Sequence, residues 1–120
     1  MPTFSSAPVK PPITIGDLER VDIRVGGILS AEGVAGSNKL VRLTVDFGDH
    51  TRRILSGMRA ERPDLSELVG RQALFIVNLP PRRMAGEVSE GMLFDIGFAD
   101  GILPALAMPE RRVPNGARAG

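Results

Sequence analysis

The strongest constraint on the fold is a strict alternation of apolar and polar residues in two segments of the chain. Between residues 41 and 47, valine, leucine and phenylalanine occupy the odd positions, and arginine, threonine and aspartate the even ones. Residues 21–25 alternate in the same way. Because side chains two residues apart share one face of a strand, both segments are predicted to be half-buried β-strands. Gly26 and Gly27 follow the segment 21–25, and a glycine pair inside a strand predicts a bulge or a sharp bend.

The other predicted elements are short. Thr14 has the position of a helix N-cap and Asp17 that of its capping-box partner, so a helix is predicted over Ile15–Arg20. A second helix is predicted over residues 63–69, with a proline in its first turn and Gly70 as its stop. Further strands are predicted in four segments bounded by turn residues: 51–56, 73–79, 91–98 and 102–107.

The order of these elements indicates the fold class. The unbroken apolar run at 73–79 predicts a strand covered on both faces, and residues 99–101 carry the Asp-Gly signal of a turn. Three strands, a helix and two or more further strands are the order of a five-stranded OB barrel. We therefore expect an all-β fold, a five-stranded Greek-key barrel of the OB type with short helices and terminal extensions.

Length and composition predict one small domain. The 120 residues, 42% of them hydrophobic, suffice for one modest core. Residues 1–12 contain four prolines and no periodic pattern, so we expect a flexible arm there and a single domain over 13–120, including a C-terminal extension. There is neither an apolar run of about 20 residues nor a signal peptide, and we expect a cytoplasmic protein without membrane insertion.

Catalysis and metal binding are disfavoured. The chain has no cysteine, and its single histidine, His50, has no ligand-type residues clustered around it, so neither a zinc site nor any other cofactor is expected. No glycine-rich phosphate loop occurs. His50 and Ser56 could be imagined as a base and a nucleophile, but no orienting carboxylate or oxyanion loop is evident. We expect a binding protein and not an enzyme.

The charge of the chain is nearly balanced. The formal net charge is +1, so the chain as a whole is no electrostatic clamp for nucleic acid. Lys10 and Lys39 are the only lysines among 15 cationic residues, and the rest are arginines. This bias has two explanations that do not exclude each other: a G+C-rich genome, or bidentate contacts to phosphates and carboxylates.

Most of the candidate chemistry lies in one segment, 78–92, which reads NLPPRRMAGEVSEGM. Its two prolines fix the backbone and present the following arginine pair on a stiff loop. A glycine turn then leads to Ser89 and Glu90, which add a donor and an acceptor. Taken singly, the prolines are strand terminators and the arginines a solvated loop; together they favour a site that binds a polar ligand.

The same segment resembles the signature of the CsaA secretion chaperones and of the related tRNA-binding OB domains that occur on some synthetases and as free proteins. In that superfamily an N-x-x-P-[RK]-[RK] loop leads to a Ser-Glu or Ser-Gln pair and an apolar strand, as here from Asn78 to Met92. Residues 17–34, 37–49 and 113–116 also resemble family segments, so the resemblance covers about residues 14–118. Residues 57–65 and 98–108 match only loosely.

The resemblance implies one of two functions. The first is a CsaA-like molecular chaperone that binds unfolded or export-destined polypeptides, which the Pro-Pro-Arg-Arg run and the ending at 113–116 favour. The alternative is a free tRNA-binding protein that recognises folded tRNA without catalysis, which the Ser-Glu-Gly-Met run favours. The chain has no Trp or Tyr, and its five phenylalanines fall mostly at apolar strand positions, where we expect them to pack in the core. Recognition of RNA is therefore expected through shape and phosphates and not through base stacking.

The predicted site and the predicted interface follow from this reasoning and the resemblance. The ligand-binding residues, for nucleic acid or peptide, are Asn38, Lys39, Arg42, Arg53, Ser56, Arg82, Arg83, Ser89 and Glu90. By resemblance the chain forms a homodimer in which both ends of the domain meet the partner. The apolar residues for this contact are Ile13, Ile15, Leu18, Ile102, Leu103 and Leu106; the alternative is that they cap their own barrel.

Overall fold

The structure is a computed structural model that describes residues 4–120. One short helix, α1 (Ile15–Glu19), precedes the strands. The strands are β1 (Ile23–Gly33), β2 (Val41–Asp46), β3 (Thr51–Ser56), β4 (Gln72–Ile76), β5 (Arg82–Met84), β6 (Glu87–Ser89), β7 (Met92–Leu93), β8 (Asp95–Ile96), β9 (Ala105–Leu106) and β10 (Arg118–Ala119). Two 3₁₀ helices, Arg59–Glu61 and Leu65–Leu68, lie between β3 and β4.

The main sheet curls into a barrel around β1. Its antiparallel order is β3-β2-β1-β4-β7, and β10 pairs with the start of β1. The first half of β1 pairs with β4 and its second half with β2. Just before β7, the backbone N–H of Glu90 donates to the carbonyl of Arg53 on β3 at 2.8 Å, which nearly closes the barrel. This arrangement is an OB fold, and it confirms the predicted class.

The glycine pair of β1 serves close packing and does not form the bulge. The register against β2 shifts between Ile28 and Ser30, so the predicted bulge lies two residues beyond the glycines. Both glycines are buried. A Cβ atom on Gly26 would overlap the side chain of Val45 and lie 2.9 Å from the ring of Phe47. Glycine is needed here because the facing side chains fill the space that a Cβ would occupy.

The core is small and holds fewer phenylalanines than expected. Phe47 and Phe75 are buried and meet edge to face, with ring centroids 5.6 Å apart. Phe4 and Phe98 are 54% and 66% exposed, however, and Phe94 is half-buried. Placing most phenylalanines in the core was therefore wrong. The side chains that fill the barrel are mainly branched aliphatics from the alternating strands: Ile28, Val41, Leu43, Val45 and Ile54.

The two helical predictions had different outcomes. At α1 the capping box is confirmed, because the Thr14 hydroxyl accepts the N–H of Asp17 and the Asp17 carboxylate accepts that of Thr14. The segment 63–69 is instead a four-residue 3₁₀ helix, Leu65–Leu68, that Asp64 caps. Only its last residue is buried, so too little apolar surface is covered to support a longer helix.

The later strands are shorter than predicted. Only residues 73–76 of the predicted segment 73–79 lie in β4, and alternate residues of this strand are only half-buried, so it is not covered on both faces as predicted. The segments predicted as strands at 91–98 and 102–107 contribute only three two-residue strands, β7, β8 and β9. Gly97 and Gly101 have φ of +100° and +73°, which end regular pairing around the predicted turn. None of the described helices has the length and apolar character needed to cross a membrane.

Candidate functional site

The segment predicted as a stiff loop is a β-hairpin. β5 and β6 pair with Arg82 opposite Ser89 and Met84 opposite Glu87. The two-residue turn between them has positive φ at Ala85 (50°) and at Gly86 (80°), as a tight hairpin turn requires. We call residues 80–90 the polar hairpin. A hairpin holds its side chains in a fixed alternation, which a proline-stiffened loop alone would not do.

Ser89 and Glu90 attach the polar hairpin to the barrel. Ser89 is only 3% exposed; its hydroxyl accepts the N–H of Leu55 at 3.0 Å and donates to the carbonyl of Gly91 at 2.9 Å. The Glu90 carboxylate accepts the N–H of Arg53 at 3.0 Å. These groups satisfy the otherwise open edge of β3. The Ser89 hydroxyl and the Glu90 carboxylate, which were predicted to contact a ligand, are thus hydrogen-bonded within the protein.

Asn78 fixes the other end of the polar hairpin. Its side-chain amide donates to the carbonyl of Arg20 at 2.7 Å, and its side-chain oxygen accepts the N–H of Asp22 at 2.8 Å. Both partners lie in the link between α1 and β1. Because these bonds join residues more than 50 positions apart, they set the direction in which the chain enters the two prolines.

Glu87 neutralises the arginines of the neighbouring strands. Its carboxylate accepts two hydrogen bonds from Arg42, the one from Nε at 2.6 Å, and lies 3.8 Å from the guanidinium of Arg53. The hydrogen bonds from Arg42 hold the pKa of the Glu87 carboxyl below its ordinary value. Sequence reasoning missed Glu87, although it lies within the motif, because only the pairing of the hairpin places it opposite Arg42. Arg42, a predicted ligand residue, is therefore already paired.

Arg82 and Arg83 differ from the other arginines. Both are exposed, and within residues 4–120 neither guanidinium has a hydrogen bond or an ion pair. Among the other arginines, Arg20 alone has no side-chain partner within the part of the chain that the structure describes, and sequence reasoning missed it. Asn78 holds the carbonyl of Arg20, so this third unpaired cation lies at the base of the polar hairpin. The three guanidinium groups keep all their donors for a ligand.

A shallow depression lies between the polar hairpin and the outer face of β2 and β3. Its volume is ≈ 300 Å³, and its lining includes Thr44, Arg53, Val88 and Glu90. Thr44 and Arg53 are directly opposite each other across the two strands. Two of the predicted ligand residues, Arg42 and Arg53, lie on β2 and β3. The depression offers hydroxyl and guanidinium donors but no aromatic surface.

Three of the predicted residues lie apart from the polar hairpin. Asn38 and Lys39 are exposed in the loop before β2, where the carbonyl of Lys39 accepts the N–H of Arg59 at 3.1 Å. Ser56, at the end of β3, lines a separate cavity of ≈ 130 Å³ together with the exposed Phe98. The structure thus joins Arg42, Arg53, Ser89 and Glu90 to the arginine pair, and sets the other three apart.

A family model matches most of the barrel. The family described as "Putative tRNA binding domain" matches residues 23–118. The chain belongs to this family. The match begins at the first residue of β1 and ends within β10, so it contains the polar hairpin and the face of β2 and β3.

Solved structures of the family's fold agree closely with this chain. A MetRS related protein from Pyrococcus horikoshii is 31% identical, with a TM-score of 0.85 over 92% of this chain and 100% of that chain. The chaperone CsaA from Bacillus anthracis is 26% identical, with a TM-score of 0.79 over the same shares. CsaA from Picrophilus torridus is 26% identical, with a TM-score of 0.78 over 91% of this chain and 100% of that chain. The suspected family is therefore confirmed.

Proposed function

We propose that this tRNA-binding domain recognises folded tRNA through the polar hairpin, without catalysis and in the cytoplasm, where tRNA is found. The observation that carries the proposal is the pair of exposed, unpaired guanidinium groups on a hairpin that Ser89, Glu90 and Asn78 hold in place. Arginine binds phosphate oxygens bidentately, and a fixed backbone lowers the entropy lost on binding. Arg20 adds a third phosphate contact at the base of the hairpin.

The chemistry of this surface favours shape and phosphates over base stacking. The aromatic side chain that is most exposed, Phe98, lies by the cavity of Ser56 and not by the polar hairpin. Single-stranded RNA is usually bound on aromatic platforms. We therefore expect folded tRNA to be preferred to an unstructured oligonucleotide of equal length, with a shallow salt slope of about three or four counterions at roughly 0.7 to 0.9 each.

The proposed active form is a homodimer that uses the groove beside α1. This α1 groove has a volume of ≈ 490 Å³, and its apolar lining comes from Ile15, Leu18, Val21 and Ile23. No residue of α1 is buried. A helix of five residues is unstable without packing, so a covering surface, here a second copy of the chain, would stabilise it. Leu106 was predicted to lie in the interface, but it is buried in the chain's own core and is not available to a partner.

A second candidate function is the binding of unfolded polypeptides, as in the CsaA chaperones. One observation favours it: the β8–β9 region exposes a group of large apolar side chains, Ile96, Phe98, Ile102 and Leu103. Apolar surface of this kind is typical of sites that hold other chains. Peptide binding would use this group together with neighbouring charges, and it would not depend on Arg82 and Arg83 alone.

The deciding experiment measures tRNA and an unfolded peptide side by side on the purified protein and on the double variant Arg82→Ala with Arg83→Ala. We expect the double variant to bind tRNA about tenfold more weakly or worse, with a salt slope lower by about 2 and an unchanged melting temperature, since exposed charges contribute little stability. Lys10→Ala removes a positive charge outside the polar hairpin and should change binding much less. Unchanged tRNA affinity in the folded double variant would refute the assignment. Peptide binding without tRNA binding would favour the second candidate.

A further inference from the structure

Three arginines that the proposed function does not use surround a depression far along the barrel from the polar hairpin. Arg71, Arg111 and Arg112 line it, together with Met108 and Pro109, and its volume is ≈ 270 Å³. It lies where the chain enters β4, whereas Asn78 and the polar hairpin follow the other end of that strand. All three arginines are exposed.

Hydrogen bonds to main-chain groups fix the first of these arginines. The N–H of Gly70 donates to the carbonyl of Ile28 at 2.8 Å, and the carbonyl of Arg71 accepts the N–H of Ile28 at 2.9 Å. The backbone of Arg71 is thereby tied to β1. Its Nε then donates to the carbonyl of Glu67 at 2.8 Å, which orients the guanidinium and leaves its four terminal N–H donors for another partner.

A buried glutamine holds the segment that carries the other two arginines. The side chain of Gln72, 4% exposed, donates to the carbonyl of Val113 at 2.6 Å and accepts the N–H of Val113 at 3.1 Å. This two-way contact fixes the backbone directly after Arg112. Nη1 of Arg112 also donates to the carbonyl of Gly70 at 3.2 Å. Arg112 is therefore bonded to Gly70, the residue that directly precedes Arg71, so both arginines are held at the same place on the barrel.

The guanidinium groups of Arg71 and Arg112 are oriented by hydrogen bonds that do not compensate their positive charge. Carbonyl oxygens accept their hydrogen bonds, whereas Arg42 is paired with the carboxylate of Glu87. The carboxylate of Glu67, the residue whose carbonyl Arg71 contacts, is paired with Arg62 at 2.9 Å. Arg111 pairs with its neighbour Glu110, but both side chains are more than three-quarters exposed, where an ion pair contributes little. An excess of positive charge therefore remains around the depression.

We propose that Arg71, Arg111 and Arg112 form a phosphate-binding site. The guanidinium groups of Arg71 and Arg112 are oriented by carbonyl oxygens and have no carboxylate partner within residues 4–120, so they suit the tetrahedral oxygens of a phosphate, which accept bidentate hydrogen bonds. The source we assign, which rests on the proposed function, is the backbone of the same folded RNA. β4 spans five residues, about 17 Å at ~3.3 Å each. An RNA that reaches both sites would use phosphates several nucleotides apart.

The first arm of the test uses inorganic phosphate and does not depend on RNA. We expect the Nε resonances of Arg71 and Arg112 to shift saturably when phosphate replaces chloride at constant ionic strength, and those of Arg24 and Arg62, which are paired with carboxylates, to stay in place. Shifts spread evenly over all arginines, or no shift at these two, would overturn the site. Arg71→Ala with Arg112→Ala should abolish the saturable response of the remaining Arg111.

The second arm measures tRNA binding as a function of salt. Because these phosphate contacts would add to the three or four expected at the polar hairpin, the double variant Arg71→Ala with Arg112→Ala should lower the salt slope by about 1.5 and weaken binding about tenfold or more near 0.1 M salt. Unchanged binding in this variant, while the wild-type protein binds tRNA, would overturn the assignment to RNA. If the wild-type protein binds no tRNA, the proposed function fails. A saturable phosphate response would then still support the site, with a free phosphate compound as its source.

Discussion

The polar hairpin and the α1 groove are both exposed, but they are built in opposite ways. In the polar hairpin nearly every polar group near the barrel has a partner: the Ser89 hydroxyl, the Glu90 carboxylate and the Glu87 carboxylate are all hydrogen-bonded. Of the charged side chains in the polar hairpin, only those of Arg82 and Arg83 have no partner within residues 4–120. In the α1 groove the backbone is capped by Thr14 and Asp17, while the apolar side chains of Ile15 and Leu18 are 72% and 54% exposed.

The difference distinguishes a site for a ligand from a site for another folded surface. A fixed backbone with free charges can bind and release an anion without rearranging. An uncovered apolar helix of one and a half turns gains stability only when a surface of similar character covers it. The three predictions below test this distinction, from the largest expected effect to the smallest.

The largest effect is expected in the α1 groove. Leu18→Asp would place a carboxylate in the proposed contact between two copies, where the neighbouring cation Arg118 is already paired with Asp22. Burial of an unpaired charge costs several kcal/mol, so dimer affinity should fall by about three orders of magnitude or more. Light scattering at micromolar concentration should show a dimer for the wild-type protein and a monomer for the variant. Val69→Asp, a similar change at an exposed residue outside the groove, is the control and should remain dimeric; a monomeric wild-type protein would end the dimer proposal.

A smaller effect is expected where the polar hairpin meets β3. Ser89→Ala removes the acceptor of the Leu55 N–H, which is buried. An unsatisfied buried donor costs about 1–3 kcal/mol, to be measured as the free energy of unfolding in urea. Ser66→Ala removes a hydroxyl that bonds only at the exposed surface and should cost under about 0.5 kcal/mol. Equal losses in the two variants would mean that the hairpin is not held by Ser89.

The smallest effect is a pH dependence at Glu87. Arg42 lowers the pKa of this carboxyl in the folded protein, so folding favours the ionised form. The resulting stability is fully present above the unfolded-state pKa, near 4.5, and is lost as the pH falls through the lowered folded-state pKa. The urea midpoints of the wild-type protein and of Glu87→Gln should therefore differ most at neutral pH and converge in acid. Glu110→Gln, in a fully exposed ion pair, should show almost no difference; a difference that grew towards low pH would contradict the assignment.

The barrel could be predicted from sequence because the first two strands, β1 and β2, carry their own alternating patterns. The alternation in residues 41–47 reappears as buried and half-buried positions along β2. The capping box of α1 is equally local. The bulge was placed wrongly because Gly26 is glycine for a different reason: the side chains of Val45 and Phe47 leave no room for a Cβ atom. These side chains come close to Gly26 only in the folded barrel. Local patterns report on local structure, and this glycine was needed for a distant contact.

The candidate site was less predictable, because its chemistry depends on pairing between strands. The sequence shows that Arg42, Arg82 and Arg83 are all cationic. It does not show that, of these three, only Arg42 forms an ion pair with Glu87. It likewise shows a serine before Glu90, but not that β3 offers an open N–H that this serine must satisfy. The roles of Asn78 and Gln72 rest on contacts across more than 40 residues, which no local pattern encodes.

The pairing of β10 with the start of β1 has a consequence for how the protein is made. Arg118 bonds to Asp22, 96 positions earlier in the chain, and Ala119 lies opposite Ile23. During synthesis the first strand therefore leaves the ribosome long before its last partner exists. Contacts over such separations form slowly, and an unpaired strand edge can meet other nascent chains in that interval. The start of β1 consequently keeps an unpaired edge until residue 119 has been translated.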